Sequence, residues 1–354
     1  MSSNTLFVGI DLGTFKTSVA CSNGNRHVFP TAVGWPRDAV AKKMFGKSVV
    51  FGDQLRSHSR ALRIVRPFAK GALKYVDHQQ AGLAERLVAT HLTAAKLVVD
   101  HAVEAVCGEA PARVLGAIGA PSQASVHNHK IILDAANAAF DAAVVVHEPF
   151  AVGYGAGKLD QTLIVDIGAG TIDICPMFGS YPNSEDQLTI PLGGDLIDDA
   201  ILAAIRQAHP EASCSVDIAR QLKEKYGSVH EQQVPAKAKL NVNGTAKSFD
   251  IASVLHSACD KLVAPIVEGI WQVVSRLEPE YHRPLLENVV LAGGGSQLAG
   301  LDRRVETGLA KFGGGNVTRV YDSVFAGATG ALKLAMDTPM DQWDRLTTNA
   351  QHAA

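Results

Sequence analysis

Cysteine is scarce in this 354-residue chain: Cys21, Cys107, Cys175, Cys214 and Cys259 are odd in number, and none stands in a Cys-x-x-Cys spacing. That pattern argues against a disulfide framework and against zinc, and for a reduced, cytosolic protein. Runs of basic residues are also missing and the formal net charge is −2, which argues against nucleic acid as the main ligand. No uninterrupted apolar segment approaches the roughly 18 residues of a membrane span. The opening Met1-Ser2-Ser3-Asn4-Thr5 lacks the basic start and apolar stretch of a signal peptide, and is too short and polar for a lipid-binding amphipathic helix. A soluble protein without direct membrane insertion is expected.

What the chain does hold, it holds twice. Asp11-Leu12-Gly13-Thr14 recurs as Asp166-Ile167-Gly168-Ala169-Gly170-Thr171, and each copy ends a β-branched, apolar run: Leu6-Phe7-Val8-Gly9-Ile10 before the first, Thr162-Leu163-Ile164-Val165 before the second. A carboxylate at a strand end, followed by glycines and a hydroxyl, suits a hairpin whose backbone N–H groups approach phosphate oxygens while the carboxylate holds Mg2+ through water. Either copy alone is a common structural turn. The pair implies two related half-molecules facing one nucleotide.

Other segments fit the same ligand. Gly293-Gly294-Gly295-Ser296 follows the run Asn288-Val289-Val290-Leu291-Ala292 and precedes a helical pattern at Leu298, Leu301, Val305 and Leu309, a context for backbone lying against a nucleotide. His147-Glu148-Pro149-Phe150 follows Ala142-Ala143-Val144-Val145-Val146, placing a carboxylate at a strand-to-helix junction with proline near the helix start. Arg220-Gln221-Leu222-Lys223-Glu224-Lys225 offers helical charges within reach of adenine or ribose, and residues 325–331 read as a small-residue helix packed under a ligand. Strand-like runs at 6–10, 112–118, 142–146, 162–167 and 287–292 alternate with helical patterns. Over 80–106, for example, Leu83, Leu87, Ala94, Val98, Ala102 and Val106 form an apolar stripe. The alternation predicts α/β layers, and the length favours two domains.

In this order and spacing the segments resemble the actin/Hsp70/sugar-kinase ATPase superfamily over nearly the whole chain. Within it, Glu148-Pro149, the Asp166 motif, Gly193-Gly194-Asp195 and Leu291-Ala292-Gly293-Gly294-Gly295-Ser296 resemble the bacterial actins. A finer resemblance, to the actin-like filament proteins of magnetosomes, rests on Val33-Gly34-Trp35-Pro36-Arg37-Asp38, Val152-Gly153-Tyr154-Gly155, residues 165–175 and Glu280-Tyr281. The resemblance implies an actin-like α/β fold, with two related α/β domains around a nucleotide cleft and a small subdomain in each. Domain I would span 1–156 with insertion IB at about 35–75, and domain II 157–330 with IIB at about 191–260, before 331–354 returns to IA.

The same resemblance implies ATP and Mg2+ as cofactors. On its motif positions Asp11 and Asp166 would hold hydrated Mg2+, and Gly13, Thr14, Phe15 and Lys16 would lie about the phosphates with Gly168, Ala169, Gly170 and Thr171. Lys16 fits a solvent-facing or interface role equally well. Gly194 and Asp195 would border the nucleotide, Lys223 and Glu224 would bracket adenine and ribose, and Gly293, Gly294, Gly295 and Ser296 would support the adenosine. Glu148 would orient the attacking water, making it catalytic beside Asp166.

The expected protein is an ATPase that polymerises with itself into a cytoplasmic filament positioning an organelle such as the magnetosome chain, with organelle-associated adaptors as further partners and no nucleic acid. A small-molecule kinase or an Hsp70-like chaperone would share the fold, but no sugar-kinase acceptor motif stands out, and a chaperone is expected to add a peptide-binding domain that 354 residues leave no room for. Bacterial actins of cell shape or plasmid segregation are alternatives within the family. Other residues have plainer readings. His127-Asn128-His129 suits a solvated helix start, Trp35 and Trp271 core or subdomain contacts, and Gly313-Gly314-Gly315 a flexible turn. Glu185-Asp186 and Asp198-Asp199 suit exposed faces, and the polar tail after Asp337 a partly mobile segment with one packed contact at Trp343.

Overall fold

A computed structural model describes residues 5–70, 72–74, 83–108, 113–122, 126–230 and 234–352. Residues 1–4, on which the leader and amphipathic-helix readings rest, lie outside the described residues, as do 80–82 and 112. The chain divides into two compact units, Met1–Lys158 with Val324–Ala354, and Leu159–Ser323.

The first unit opens with strands β1 (Thr5–Leu12), β2 (Lys16–Cys21), β3 (Arg26–Pro30) and β4 (Val33–Pro36), then helices α1 (Ala39–Phe45) and α2 (Gln54–Ser57). Strands β5 (Leu62–Val65), β6 (Phe68–Ala69) and β7 (Ala72–Leu73) follow, and α3 (Leu83–Cys107), β8 (Arg113–Ala120), α4 (Val126–Ala136), β9 (Ala142–His147) and α5 (Glu148–Ala156) complete this stretch. The main sheet has the order β3-β2-β1-β8-β9, with β1, β8 and β9 parallel. Parallel strands covered on both faces must be apolar throughout, which is why β1 and β8 read as unbroken runs. Strand alternation then divides the core. Val8, Ile10, Val114 and Ile118 pack on α3 and α4 through Val98, Ala102 and Ile132, while Leu115 and Ala117 turn to the opposite face.

The second unit repeats this plan. It contains β10 (Asp160–Ile167), β11 (Ile172–Phe178), β12 (Leu188–Ile190), α6 (Gly194–Ala208), α7 (Val216–Tyr226) and the hairpin β13 (Lys237–Val242) and β14 (Thr245–Asp250). α8 (Ala252–Asp260), α9 (Val263–Val274), α10 (Pro279–Leu286), β15 (Val289–Ala292), α11 (Leu301–Leu309) and β16 (Val317–Arg319) follow. Its sheet order is β12-β11-β10-β15-β16: each unit has a central strand with an antiparallel meander on one side and parallel strands on the other. The β13–β14 hairpin turns through Asn243 and Gly244, both at positive φ (51° and 85°), as a two-residue turn of the Asn-Gly kind requires.

The chain returns to the first unit as α12 (Ala326–Asp337) and α13 (Met340–His352). The segment after Asp337, read from the sequence as a polar tail with one packed contact, is helical over Met340–His352. Trp343 anchors it, fully buried against Leu115, Ala117 and Val146, with its indole N–H donating to the Ala335 carbonyl at 3.2 Å.

Candidate functional site

In the first unit, β1, β8 and β9 are parallel, so their carboxyl ends share one edge of the sheet, the edge where α/β sheets bind ligands. Asp11 stands there on β1, level with Gly119 of β8 and Ser18 of β2. The β1–β2 turn holds Gly13, Thr14 and Phe15. A Cβ at Gly13 would lie 2.6 Å from the Lys16 carbonyl, so the tight turn admits only glycine. Buried Thr31 braces the turn: its hydroxyl donates to the Gly13 carbonyl at 2.8 Å and its N–H to the Phe15 carbonyl at 2.8 Å. The Arg66 guanidinium covers the Phe15 ring, 4.8 Å from its centroid. Lys16 opens β2 with an exposed side chain.

Glu148 is the first residue of α5, directly after β9, and its carboxyl-bearing side chain is buried. A Cβ at Gly119 would come within 3.2 Å of the Glu148 Cγ, so the glycine level with Asp11 also leaves room for Glu148. Gly327 of α12 would place a Cβ 2.9 Å from Asp11 Oδ2. The crossing of α5 and α12 is equally tight, since a Cβ at Gly155 would lie 2.8 Å from the Cα of Gly330. Burial pushes the Asp11 carboxyl up to about 6, against the downward pull of the Ser18 hydroxyl 3.5 Å away.

The second unit builds a matching edge. Asp166 lies near the end of β10, level with Ala292 of β15 and Asp173 of β11. The turn closes through the Gly168 N–H and the Thr171 carbonyl at 2.9 Å. The Gly193 segment docks on this turn: Gly194 and Asp195 donate their N–H groups to the Gly168 and Ala169 carbonyls at 3.0 and 2.8 Å. Behind it, Gly293 sits at φ 74°, and a Cβ there would fall 2.2 Å from Asp166 Oδ1. Ser296 is fully buried and donates to the Gly293 carbonyl at 2.7 Å, holding the glycine turn closed. Thus Asp166, Gly168, Ala169, Gly170, Thr171, Gly194, Asp195, Gly293, Gly294, Gly295 and Ser296 converge within this unit.

Lys223 reaches the same place: its ammonium donates to the Gly194 carbonyl at 2.8 Å and pairs with Asp198 at 2.7 Å. Its neighbour Glu224 is exposed. Asp198 overturns its reading as an exposed carboxylate. It is fully buried, paired with Lys223 and, at 2.8 Å, with Arg220, which also contacts Asp195 at 3.0 Å. The signal lay in helical spacing, because Asp198 shares its face of α6 with Ile201 and Ile205, three and seven residues on. Burial raises the Asp198 carboxyl, with Lys223 and Arg220 pulling it back. His129 is a second correction. Instead of a solvated site, it is half-buried 6.2 Å from the His147 ring, and burial lowers its pKa.

Sequence reasoning also passed over Thr31 and Asp173. Asp173 is buried opposite Asp166 and accepts a 2.6 Å hydrogen bond from the Thr189 hydroxyl. Its position in the hairpin's return strand, seven residues after Asp166, was the available clue.

The two hairpins stand at the centre of sheets with the same five-stranded order. A profile of the MreB/Mbl protein family matches residues 5–334. The chain belongs to the MreB/Mbl family of actin-like proteins. This MreB/Mbl protein is 36% identical over 343 residues to the actin-like protein MamK of Paramagnetospirillum magneticum (strain ATCC 700264 / AMB-1), covering 97% of this chain and 96% of the relative. Among solved structures, a MamK double helical filament matches with a TM-score of 0.87 at 35% identity, over 95% of this chain and 100% of that one. A non-polymerising MamK mutant bound to AMPPNP matches with a TM-score of 0.69 at 35% identity and the same coverage. The actin-like fold expected from the motifs is the fold of this MreB/Mbl chain.

Proposed function

We propose that this MreB/Mbl protein is an Mg2+-dependent ATPase that polymerises with copies of itself into a cytoplasmic filament, and that the filament aligns an organelle, the magnetosome chain, through organelle-associated adaptors. The observation that carries the reading is the repeated hairpin: Asp11 and Asp166 each occupy the carboxyl end of the central strand of an identically ordered sheet. The filament structure of MamK and the AMPPNP-bound form of its mutant support it. In the described residues no helix is long and apolar enough to cross a membrane. The domain plan belongs to this proposal too, with residues 35–75 as subdomain IB and 191–260 as IIB.

The residues suit a hydrated divalent cation. The raised affinity of Asp11 for its proton marks a carboxylate whose charge burial disfavours, and a cation relieves that cost. Among the described residues no group of three or more His, Cys, Asp or Glu side chains could hold a metal alone. On the family's motif positions Asp11 and Asp166 would be the residues to hold Mg2+, through water. Bound Mg2+ supplies positive charge for the phosphates. Thr14 and the N–H groups of Gly13 and of residues 169–171 would cradle phosphate oxygens, Lys223 is held in place by Asp198 beside Gly194, and Glu148 would orient water and take its proton. Hydrolysis times the filament, because the nucleotide state biases one protomer interface over release.

Asp11 makes a stability prediction. Its folded pKa of about 6 lies above the ordinary value of 3.8, so its contribution to stability is complete below pH 3.8 and is lost as pH rises through about 6. Asp11→Asn should therefore raise the Tm of nucleotide-free, Mg2+-free protein at pH 7.5, by at most roughly 3 kcal/mol of stability, and do little at pH 4. A lower Tm at pH 7.5 would show that the carboxylate is structural.

Gly294 tests the adenosine segment. A Cβ at Gly294 would meet nothing within 4 Å, whereas at Gly293 or Gly295 it would strike Asp166 or Ile167. Gly294→Val should fold normally and still weaken ATP binding by steric exclusion. Unchanged affinity in calorimetry at matched Mg2+ would remove Gly294 from the site.

The function as a whole is tested by electron microscopy and light scattering of purified protein with ATP, ADP or no nucleotide. Filaments that depend on ATP are expected. A protein that hydrolyses ATP without scattering points to the kinase or chaperone reading instead.

A further inference from the structure

Cys21 ends β2 and Cys107 ends α3, and the fold joins these two ends. The side-chain amides of Asn23 and Asn25 both donate to the Val106 carbonyl, at 2.8 and 2.9 Å, so the β2–β3 turn caps the last turn of α3. The turn itself is fixed by the Cys21 N–H donating to the Asn25 carbonyl and the Gly24 N–H donating to the Cys21 carbonyl, both at 2.9 Å. α3 stops at Gly108, at φ 70°. Between these backbones the two thiols are both buried in the same apolar cluster. Above them are the exposed residues 22–25 and Gly108.

The environment makes the two sulfurs unequal. The Cys107 thiol donates to Cys21 and, aided by hydrogen bonds from Asn23 and Ser22, holds the Cys21 thiol below its usual range. The same contact, together with burial, pushes Cys107 up. Cys107 also lies at the negative end of a helix, which disfavours a thiolate there. Cys107, at the end of α3, is thus the less readily ionised of the two. Of the remaining cysteines, Cys175 and Cys259 are buried, with burial raising both thiols, and Cys214 is partly exposed.

We propose that Cys21 and Cys107 form a reversible redox pair, which hydrogen peroxide or a comparably small peroxide closes into an intramolecular disulfide. The Cys21 thiolate attacks one peroxide oxygen, the O–O bond breaks, and hydroxide leaves to take up the Cys21 proton as water. Cys21 is then a sulfenic acid. The Cys107 sulfur attacks the Cys21 sulfur, the S–O bond breaks as the S–S bond forms, and the departing hydroxide carries off the Cys107 proton as a second water. Two thiols lose two electrons in all and one peroxide gains them; a small thiol reductant reverses the change. The bond ties the far end of the Asp11 hairpin's return strand to α3 and closes a loop around residues 22–106. Such a cross-link constrains the unfolded chain, so the oxidised protein should melt several degrees higher. This pairing does not depend on the nucleotide reading.

The test uses the full-length protein, fully reduced, desalted and exposed to a small excess of hydrogen peroxide. Free thiols are then alkylated in denaturant, and the unreduced digest is read by mass spectrometry. The expected product joins the Cys21 and Cys107 peptides with the loss of two hydrogens, disappears on dithiothreitol treatment and accompanies the rise in Tm. In Cys107→Ser, Cys21 should instead accumulate as a sulfenic acid that dimedone traps. Recovery of Cys21 and Cys107 as separately alkylated thiols from the wild-type protein, with Cys214 the oxidised residue, overturns the proposal. So does Cys21 oxidised beyond the sulfenic state without a linked product. Both of these outcomes are read on the wild-type chain and stand even if a variant folds poorly.

Discussion

Asp166→Ala should leave a folded protein whose ATP turnover has dropped by on the order of 100-fold or more, the loss typical when an electrostatic group aimed at the reacting phosphate is removed. Folding should survive because the end of β10 is held by its backbone ladder to Ala292 on one side and Asp173 on the other. The substitution removes only a short carboxylate. Its position is fixed from behind, since Gly293 leaves no space for a Cβ near Asp166 Oδ1. A companion variant exploits that contact: Gly293→Ala keeps the carboxylate but must displace it, and also strains a residue at φ 74°, so turnover should fall there too. Phosphate release by each purified variant, with circular dichroism to show the fold intact, checks both. Near-normal release from Asp166→Ala would defeat the assignment.

The parts of this architecture legible in the sequence are those that carry its chemistry. β1, β8, β9, β10 and β15 are parallel strands covered on both faces, so each appears as a continuous apolar run, and Asp11, Glu148, Asp166 and Gly293 stand at or just past the ends of such runs. The return arms β2 and β11 escape such a reading because their sequences are mixed. Thr17, Ser18 and Asp173 are buried by the turn and by neighbouring hydroxyls, a cost met by hydrogen bonds that no hydropathy pattern reveals. α13 escapes it because one fully buried residue, Trp343, holds an otherwise polar helix. The Asp198 network is hidden for a different reason. Its partners Arg220 and Lys223 lie on the next helix, and a charge cluster assembled by tertiary contact looks, in sequence, like two unrelated solvated faces.

Glu148→Ala should separate chemistry from assembly. Glu148 begins α5 at the carboxyl end of β9 and is buried beside Gly119, at the same edge of the sheet as Asp11. In the proposed mechanism it orients water and accepts its proton, while affinity for ATP comes from the hairpins, Mg2+ and the adenosine segment. The plainer role is that of a helix-start carboxylate complementing the macrodipole, worth about 0.3–1 kcal/mol, which would appear as a small loss of Tm and nothing else. The two roles part company in kinetics. If Glu148 serves the water, the variant should bind ATP and pellet with it as the wild type does, while phosphate release falls sharply. Because the ATP state then persists, bleached zones in labelled cellular filaments should recover slowly although the filaments look normal. Normal hydrolysis makes Glu148 structural; loss of both binding and pelleting shows that it supports the fold, and in either case hydrolysis as the timer of the filament loses its main support.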